Sequence, residues 1–178
     1  IIPNSVTSIG DSAFSGCSSL THIVIPDSVV TLGAYTFSEC HGLKSITIPK
    51  SITSIPRGAF RGCTSLTNVT ISEGVSGIEE WAFNGCSNLT VITIPDSVRY
   101  IGEHVFSKCI GLTGMTIPNS VITISNSLFY GCSRLIDITI PDSVTSIGRG
   151  AFSGCSSLIE ITIPNNVNSI GESAFYNC

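Results

Sequence analysis

Charge is scarce in this chain. Asp, Glu, Lys and Arg make up 11% of its 178 residues, only eight are Lys or Arg, and the formal net charge is -4. No basic stripe is available for a phosphate backbone, which excludes nucleic acid as a partner. Hydrophobic residues reach 42%, so the low charge does not signal disorder and the chain is apolar enough to bury a core throughout. No stretch approaches the roughly 20 consecutive apolar residues of a membrane span, and no charged start followed by an apolar segment reads as a signal peptide. No hydroxyl, imidazole and carboxylate recur together, and no Gly-rich loop leads from a strand into a helix. The chain therefore reads as a non-enzyme that needs no cofactor.

What the chain does have is repetition. "AFSGCSSL" stands at residues 13–20 and again at 151–158, an interval of 151 − 13 = 138, or six times 23. The eight cysteines fall at Cys17, Cys40, Cys63, Cys86, Cys109, Cys132, Cys155 and Cys178, and the eight phenylalanines keep the same register three positions earlier, from Phe14 to Phe175. No insertion or deletion interrupts it. Each unit must then pack on its neighbours, and chain length measures the height of a stack. The reading is one solenoid over 1–178: a partial repeat 1–19, repeats 20–42, 43–65, 66–88, 89–111, 112–134 and 135–157, and a partial repeat 158–178. Because "IIPNSV" and "ESAFYNC" both fall in mid-repeat, the expectation is a fragment of a longer array.

Within one unit, Ile23 and Ile25 recur as Ile46 and Ile48, Val69 and Ile71, and onward to Ile161 and Ile163. Their spacing of two puts them on one face of a short strand, with the intervening residue turned outward. Proline ends that strand, and Asp or Asn followed by Ser favours a turn. Val29 and Leu32, with their equivalents, give the return path a second inward edge; a Gly often follows, as at Gly10, Gly33, Gly102, Gly148 and Gly171, suited to a bend of positive φ. The Ala-Phe-x-x-Cys element reads as one helical or 3₁₀ turn that closes the coil. The predicted fold is an α/β solenoid, a right-handed coil with one parallel sheet of one short strand per 23-residue turn, short return strands, and single helical turns on the other side. Inward columns of like side chains would fill it, with the phenylalanines stacked.

Laid out as Leu-x-x-Ile-x-Ile-Pro-x-Ser-Val-x-x-Ile-Gly-x-x-Ala-Phe-x-x-Cys, the unit resembles the BspA-like leucine-rich repeat. "LTHIVIPDSVVTLGAYTFSEC" (20–40) and "LIDITIPDSVTSIGRGAFSGC" (135–155) both carry the pattern, and departures are modest, among them Ser72 for Pro, Thr36, Val105 and Leu128 for Ala, and Met115 for Ile. Where the better-known leucine-rich repeat has an Asn ladder, Ser28, Ser51 and Ser97 stand in the turn after the strand. The resemblance implies a surface-displayed adhesion or recognition module, placed outside the cell.

An even set of cysteines invites disulfides, but equivalent thiols in successive rungs point the same way beside Phe, so buried free thiols are expected. Zinc needs clustered ligands at short spacing, and one thiol per coil does not supply them. His22, His41 and His104 fall at three different places in the repeat. Lys50 and Glu73, Arg57 and Glu80, and Arg149 and Glu172 each differ by one period and should be lateral neighbours worth little individually.

If the inward positions serve the core, function belongs where the copies differ. One outward strand column reads His22, Ser45, Asn68, Val91, Gly114, Asp137 and Glu160, changing chemistry at each rung; the other is Val24, then Thr47, Thr70, Thr93, Thr116, Thr139 and Thr162. Together they would pave a recognition face, although threonine also suits any solvated strand. A regular threonine array could order water, but the second Thr of a double ice-binding ladder is lacking. A second candidate is the column two residues before Phe, where Tyr35, Trp81 and His104 gather aromatics of the kind binding hot spots favour. Asn68-Val-Thr and Asn88-Leu-Thr are glycan acceptors in a eukaryotic secretory host. The function expected is non-enzymatic binding of extracellular or host proteins or glycans, without membrane insertion. The alternative is a structural spacer, or an array that self-associates end to end into filaments.

Overall fold

A computed structural model describes all 178 residues. The chain is a parallel β-solenoid in which each period makes one coil, and two columns of strands run along the stack. The front column contains Ser45–Ile48 paired with Asn68–Ile71, and Gly114–Thr116 paired with Asp137–Thr139, all in parallel register offset by one period. His22 joins the first pair through a single bridge to Ser45. The return column consists of two-residue strands at the second inward edge: Ser8–Ile9 with Thr31–Leu32; Ser54–Ile55, Gly77–Ile78 and Tyr100–Ile101; and Thr123–Ile124, Ser146–Ile147 and Ser169–Ile170. The front column is not the single continuous sheet the repeat predicts. Val91, Ile92, Thr93 and Ile94 donate no backbone N–H to the coil before them, so the front sheet divides between Ile71 and Gly114.

The core is one cluster running the length of the stack. Successive phenylalanine rings are stacked at centroid distances of 5.2 to 5.9 Å with their planes 2° to 13° apart. Phe37 through Phe152 are fully buried, while Phe14 and Phe175 at the two ends are partly covered. Beside each ring the thiol of the next coil donates to the phenylalanine carbonyl of the coil before, from Cys40 Sγ to Phe14 O at 3.1 Å through Cys178 Sγ to Phe152 O at 3.2 Å. All eight cysteines are free thiols; only Cys17 and Cys178 are exposed. Burial pushes the Cys63 and Cys109 thiols up to about 12 and raises Cys86 and Cys132 as well.

The expected α/β class is corrected: the chain is all β, and no α-helix or 3₁₀ helix occurs at the Ala-Phe-x-x-Cys element or anywhere else. The reason lies in where the amides point. A 3₁₀ turn needs consecutive N–H groups to reach back three residues, and here alternate ones do not. Ala59, Arg61 and Cys63 donate to Pro56, Gly58 and Phe60 of their own coil, whereas Gly58, Phe60 and Gly62 between them donate to Glu80, Ala82 and Asn84 of the next. The segment is a run of overlapping turns stitched along the axis. This geometry places two residues per coil in the left-handed region, among them Gly58 (φ 61), Trp81 (φ 59), Gly85 (φ 74) and Lys108 (φ 60). The glycine column near Gly102 has a different cause from the positive φ expected. None of those glycines has one, and a Cβ on Gly102 would lie 2.7 Å from Glu80 N, so close approach of adjacent coils selects glycine there.

Serine takes the part of a ladder in the turn after the strand. Ser28, Ser51, Ser97 and Ser143 donate to Val6 O, Val29 O, Val75 O and Val121 O of the preceding coil at 2.6 to 2.8 Å, and Ser120 does the same to Val98 O. Thr36, at the usual Ala position, is buried and keeps its hydroxyl satisfied by donating to Gly33 O. No buried side-chain nitrogen or oxygen lacks a partner.

Candidate functional site

Two surfaces follow from this architecture. On the front, the alternation of inward Ile or Val with outward residues leaves His22, Asn68, Val91, Asp137 and Glu160 exposed, with Ser45 and Gly114 half-buried. The threonines Thr47, Thr70, Thr93, Thr116, Thr139 and Thr162 are all exposed. Register stacks Thr47 on Thr70 and Thr116 on Thr139. Three shallow grooves open over this face. The first, of about 660 Å³, lies between His22, Ser45 and Thr47 on one side and Asp27, Lys50 and Glu73 on the other. The second, of about 560 Å³, runs past Val91, Thr93, Asp96, Thr116, Asp137 and Thr139, and a third of about 290 Å³ continues to Glu160 and Thr162. Lys50 is the one Lys or Arg that lines any of them. The face is thus acidic, increasingly so toward the C-terminal coils.

On the turn side, Tyr35, Trp81 and His104 are half-buried and share the left-handed column, with φ 56, 59 and 58. An L-residue in that region costs about 1–2 kcal/mol, and Gly58 and Gly150 occupy the same column without that cost. Glycine at Gly58 has a second cause: a Cβ there would enter the Tyr35 ring, which lies across that rung. Arg57 sits over one face of the Trp81 indole, 4.5 Å from its centroid, and His104 meets the ring at 6.1 Å, tilted by 51°. Arg57 and Arg61 are each matched by a carboxylate, Glu80 and Glu39 respectively, at 3.6 Å.

Tyr35 and Trp81 border a common cleft of about 370 Å³ together with Arg61 and Asn84. His104 lines a separate cleft of about 400 Å³ beside Tyr130 and Arg149. The aromatic column is therefore divided between two hollows. Arg61, Asn84 and Tyr130 were not singled out from the repeat. The signal for the first two is their spacing of three from the aromatic column: the turns closed by Arg61 N to Gly58 O and Asn84 N to Trp81 O, both 3.0 Å, bring those side chains beside it.

Of the three one-period ion pairs, Arg57–Glu80 and Arg149–Glu172 form, at 3.6 and 3.5 Å. Lys50 and Glu73 share the first front groove without forming a salt bridge. Asn68 and Asn88, the two sequon residues, are exposed. No group of His, Cys, Asp and Glu is arranged to hold a metal ion. No helix is long and apolar enough to cross a membrane.

Comparison with solved structures finds the same architecture in bacterial proteins. A leucine-rich-repeat protein of T. pallidum is 30% identical, superposes with a TM-score of 0.78, and matches over 97% of this chain and 70% of its own. A leucine-rich cell surface protein of Faecalibacterium prausnitzii A2-165 is 26% identical with a TM-score of 0.52, over 99% of this chain and 69% of its own. A leucine-rich-repeat protein of Eubacterium ventriosum, 24% identical with a TM-score of 0.64 over 99% of this chain and 63% of its own, shares the fold. No curated protein sequence matches. The description of the BspA type leucine-rich repeat region matches six copies over residues 1–97 and 78–178. With its period, its stacked core and its nearest-neighbour ladders all accounted for, the chain belongs to the BspA type leucine-rich-repeat family.

Proposed function

We propose that this chain acts outside the cell, as a surface-displayed module that captures a protein ligand on its front sheet face. The chain is a non-enzymatic leucine-rich-repeat module. Its likeness to a cell surface protein of F. prausnitzii supports the location. The observation that carries the reading is the contrast between columns. Inward positions repeat almost without change, whereas the outward strand column runs from His22 through Val91 to Asp137 and Glu160 and lies open over three grooves.

A ligand suited to that face has an extended or ridged surface that spans several rungs. It presents Lys or Arg toward Asp96, Asp137 and Glu160, where no cation of this chain intervenes. Such complementarity acts mainly on the association rate and weakens with salt. The test is a binding screen of the chain against immobilised extracellular matrix proteins, repeated with Asp137→Ala. Support is a ligand whose association slows in Asp137→Ala and with added salt. A ligand bound equally well by Asp137→Ala and by a second front variant, Thr93→Arg, removes the front face from consideration.

A further inference from the structure

The cleft beside the sole tryptophan points to a second ligand of a different kind. We propose that Trp81, Tyr35, Arg61 and Asn84 form a site for a neutral pyranose oligosaccharide lying along the solenoid axis on the turn side. Four observations carry this. First, the cleft's volume of about 370 Å³ sits at the low end of the roughly 300–1,000 Å³ of small-molecule sites, too small for a folded protein segment and sufficient for one or two sugar rings. Second, its walls combine two aromatic rings with a guanidinium and a carboxamide. The apolar C–H face of a pyranose packs on an aromatic ring, while its paired hydroxyls need a planar donor such as Arg61 and a donor–acceptor such as Asn84.

Third, the local charge is already balanced, because Glu80 faces Arg57 and Glu39 faces Arg61. A phosphate or sulfated glycan would find both cations engaged and two carboxylates beside them, so the site disfavours anions. Fourth, the indole is held in place before any ligand arrives. Arg57 covers one of its faces at 4.5 Å, and its backbone occupies the left-handed column that Gly58 and Gly150 fill with glycine and the other coils fill with Ser12, Tyr35, His104, Ser127 and Ser173. A large aromatic kept where glycine fits more easily is a feature to be explained by function. Tyr35 and Trp81 are rooted two coils apart, and the Tyr35 ring lies across the glycine rung between them, so both residues border one hollow and a sugar chain along the axis reaches both rings.

Because Trp81 is the only tryptophan, its emission reports on this cleft alone. The probes are neutral tetrasaccharides of β-1,4-linked glucose, β-1,4-linked N-acetylglucosamine and α-1,4-linked glucose, titrated into the whole chain and followed by Trp81 emission and by calorimetry. The expected result is a saturable emission change with at least one of them, a loss of about tenfold or more in affinity for Asn84→Ala, and no binding heat for Trp81→Gly, which retains the repeat's circular dichroism spectrum. Asp137→Ala should bind the same sugar normally, which separates this site from the front face. Silence from all three sugars up to millimolar concentration overturns the proposal. So does binding that is confined to a sulfated tetrasaccharide, or binding that survives intact in both Asn84→Ala and Trp81→Gly.

Discussion

Replacing Phe83 by alanine is the sharpest perturbation of the packing described above. Phe83 is fully buried, with Phe60 at 5.4 Å and 9° on one side and Phe106 at 5.9 Å and 4° on the other. Neighbouring rungs cannot close the gap, because each is tied to the next by turn amides such as Phe83 N to Val105 O at 3.1 Å. The loss should therefore approach the full cost of a buried Phe→Ala change, about 3–5 kcal/mol, which includes about 0.5–1.5 kcal/mol for each of two aromatic contacts. Against a total stability of about 5–15 kcal/mol that is a large fraction, and it corresponds to a fall in Tm of roughly 6–20 °C for a chain of this size. Phe14→Ala provides the internal comparison: the ring is only partly covered and has a single stacked neighbour at 5.2 Å, so its loss should stay below about 2 kcal/mol. Urea unfolding followed by circular dichroism measures both variants. A cost for Phe83→Ala below about 1 kcal/mol, or one equal to that of Phe14→Ala, would refute a core built from interlocked columns.

Three further outcomes follow from the same structure. A thiol reagent at neutral pH should label Cys17 and Cys178 in the native chain and leave the six buried cysteines untouched until denaturant is added, as read by mass spectrometry of the labelled peptides. Raised thiol pKa values make stability fall in alkali. Below pH 9 thiols are protonated in both states; above it the unfolded chain loses its protons while Cys63 and Cys109 hold theirs up to about 12, so each such thiol lowers stability by roughly 1.4 kcal/mol per pH unit in that window. Urea melts from pH 8 to 11 should show that slope, and Cys109→Ala should reduce it. Ser97→Ala removes a donor to Val75 O at 2.8 Å and an acceptor of Gly74 N at 3.2 Å, which should cost about 1–3 kcal/mol, more than the single-bond loss in Ser28→Ala.

Much of this molecule was legible because a period is an unusually strong constraint. Once Cys and Phe recur every 23 residues, each inward side chain must meet its own copy, and the ring stack, the buried thiols and the outward variable column all follow from that. The closing segment did not follow. "AFSGC" has too few residues to betray its amide directions, and only the alternation of in-coil and between-coil hydrogen bonds distinguishes overlapping turns from a 3₁₀ turn. The trace of it in the letters is weak: Gly16, Gly62, Gly85, Gly131 and Gly154 mark one left-handed position, but Ser12, Tyr35 and Trp81 disguise the other. Continuity of the front sheet was equally hidden, since Val91–Ile94 keep the strand pattern yet pair with nothing before them. Periodicity placed Tyr35 and Trp81 in one column, but Arg61 and Asn84 enter their cleft through the turn, a local geometry that column alignment does not display.

The central claim is that 23 residues make one complete coil whose top matches its own bottom. Removing residues 66–88 should therefore bring repeat 43–65 directly onto repeat 89–111, with Phe60 stacked on Phe106 and Cys109 donating to Phe60 O, and thermal unfolding monitored by circular dichroism should remain cooperative. Removing residues 66–77, about half a period, should leave no such transition. Two deletions that melt alike, whether both folded or both unfolded, would contradict the account.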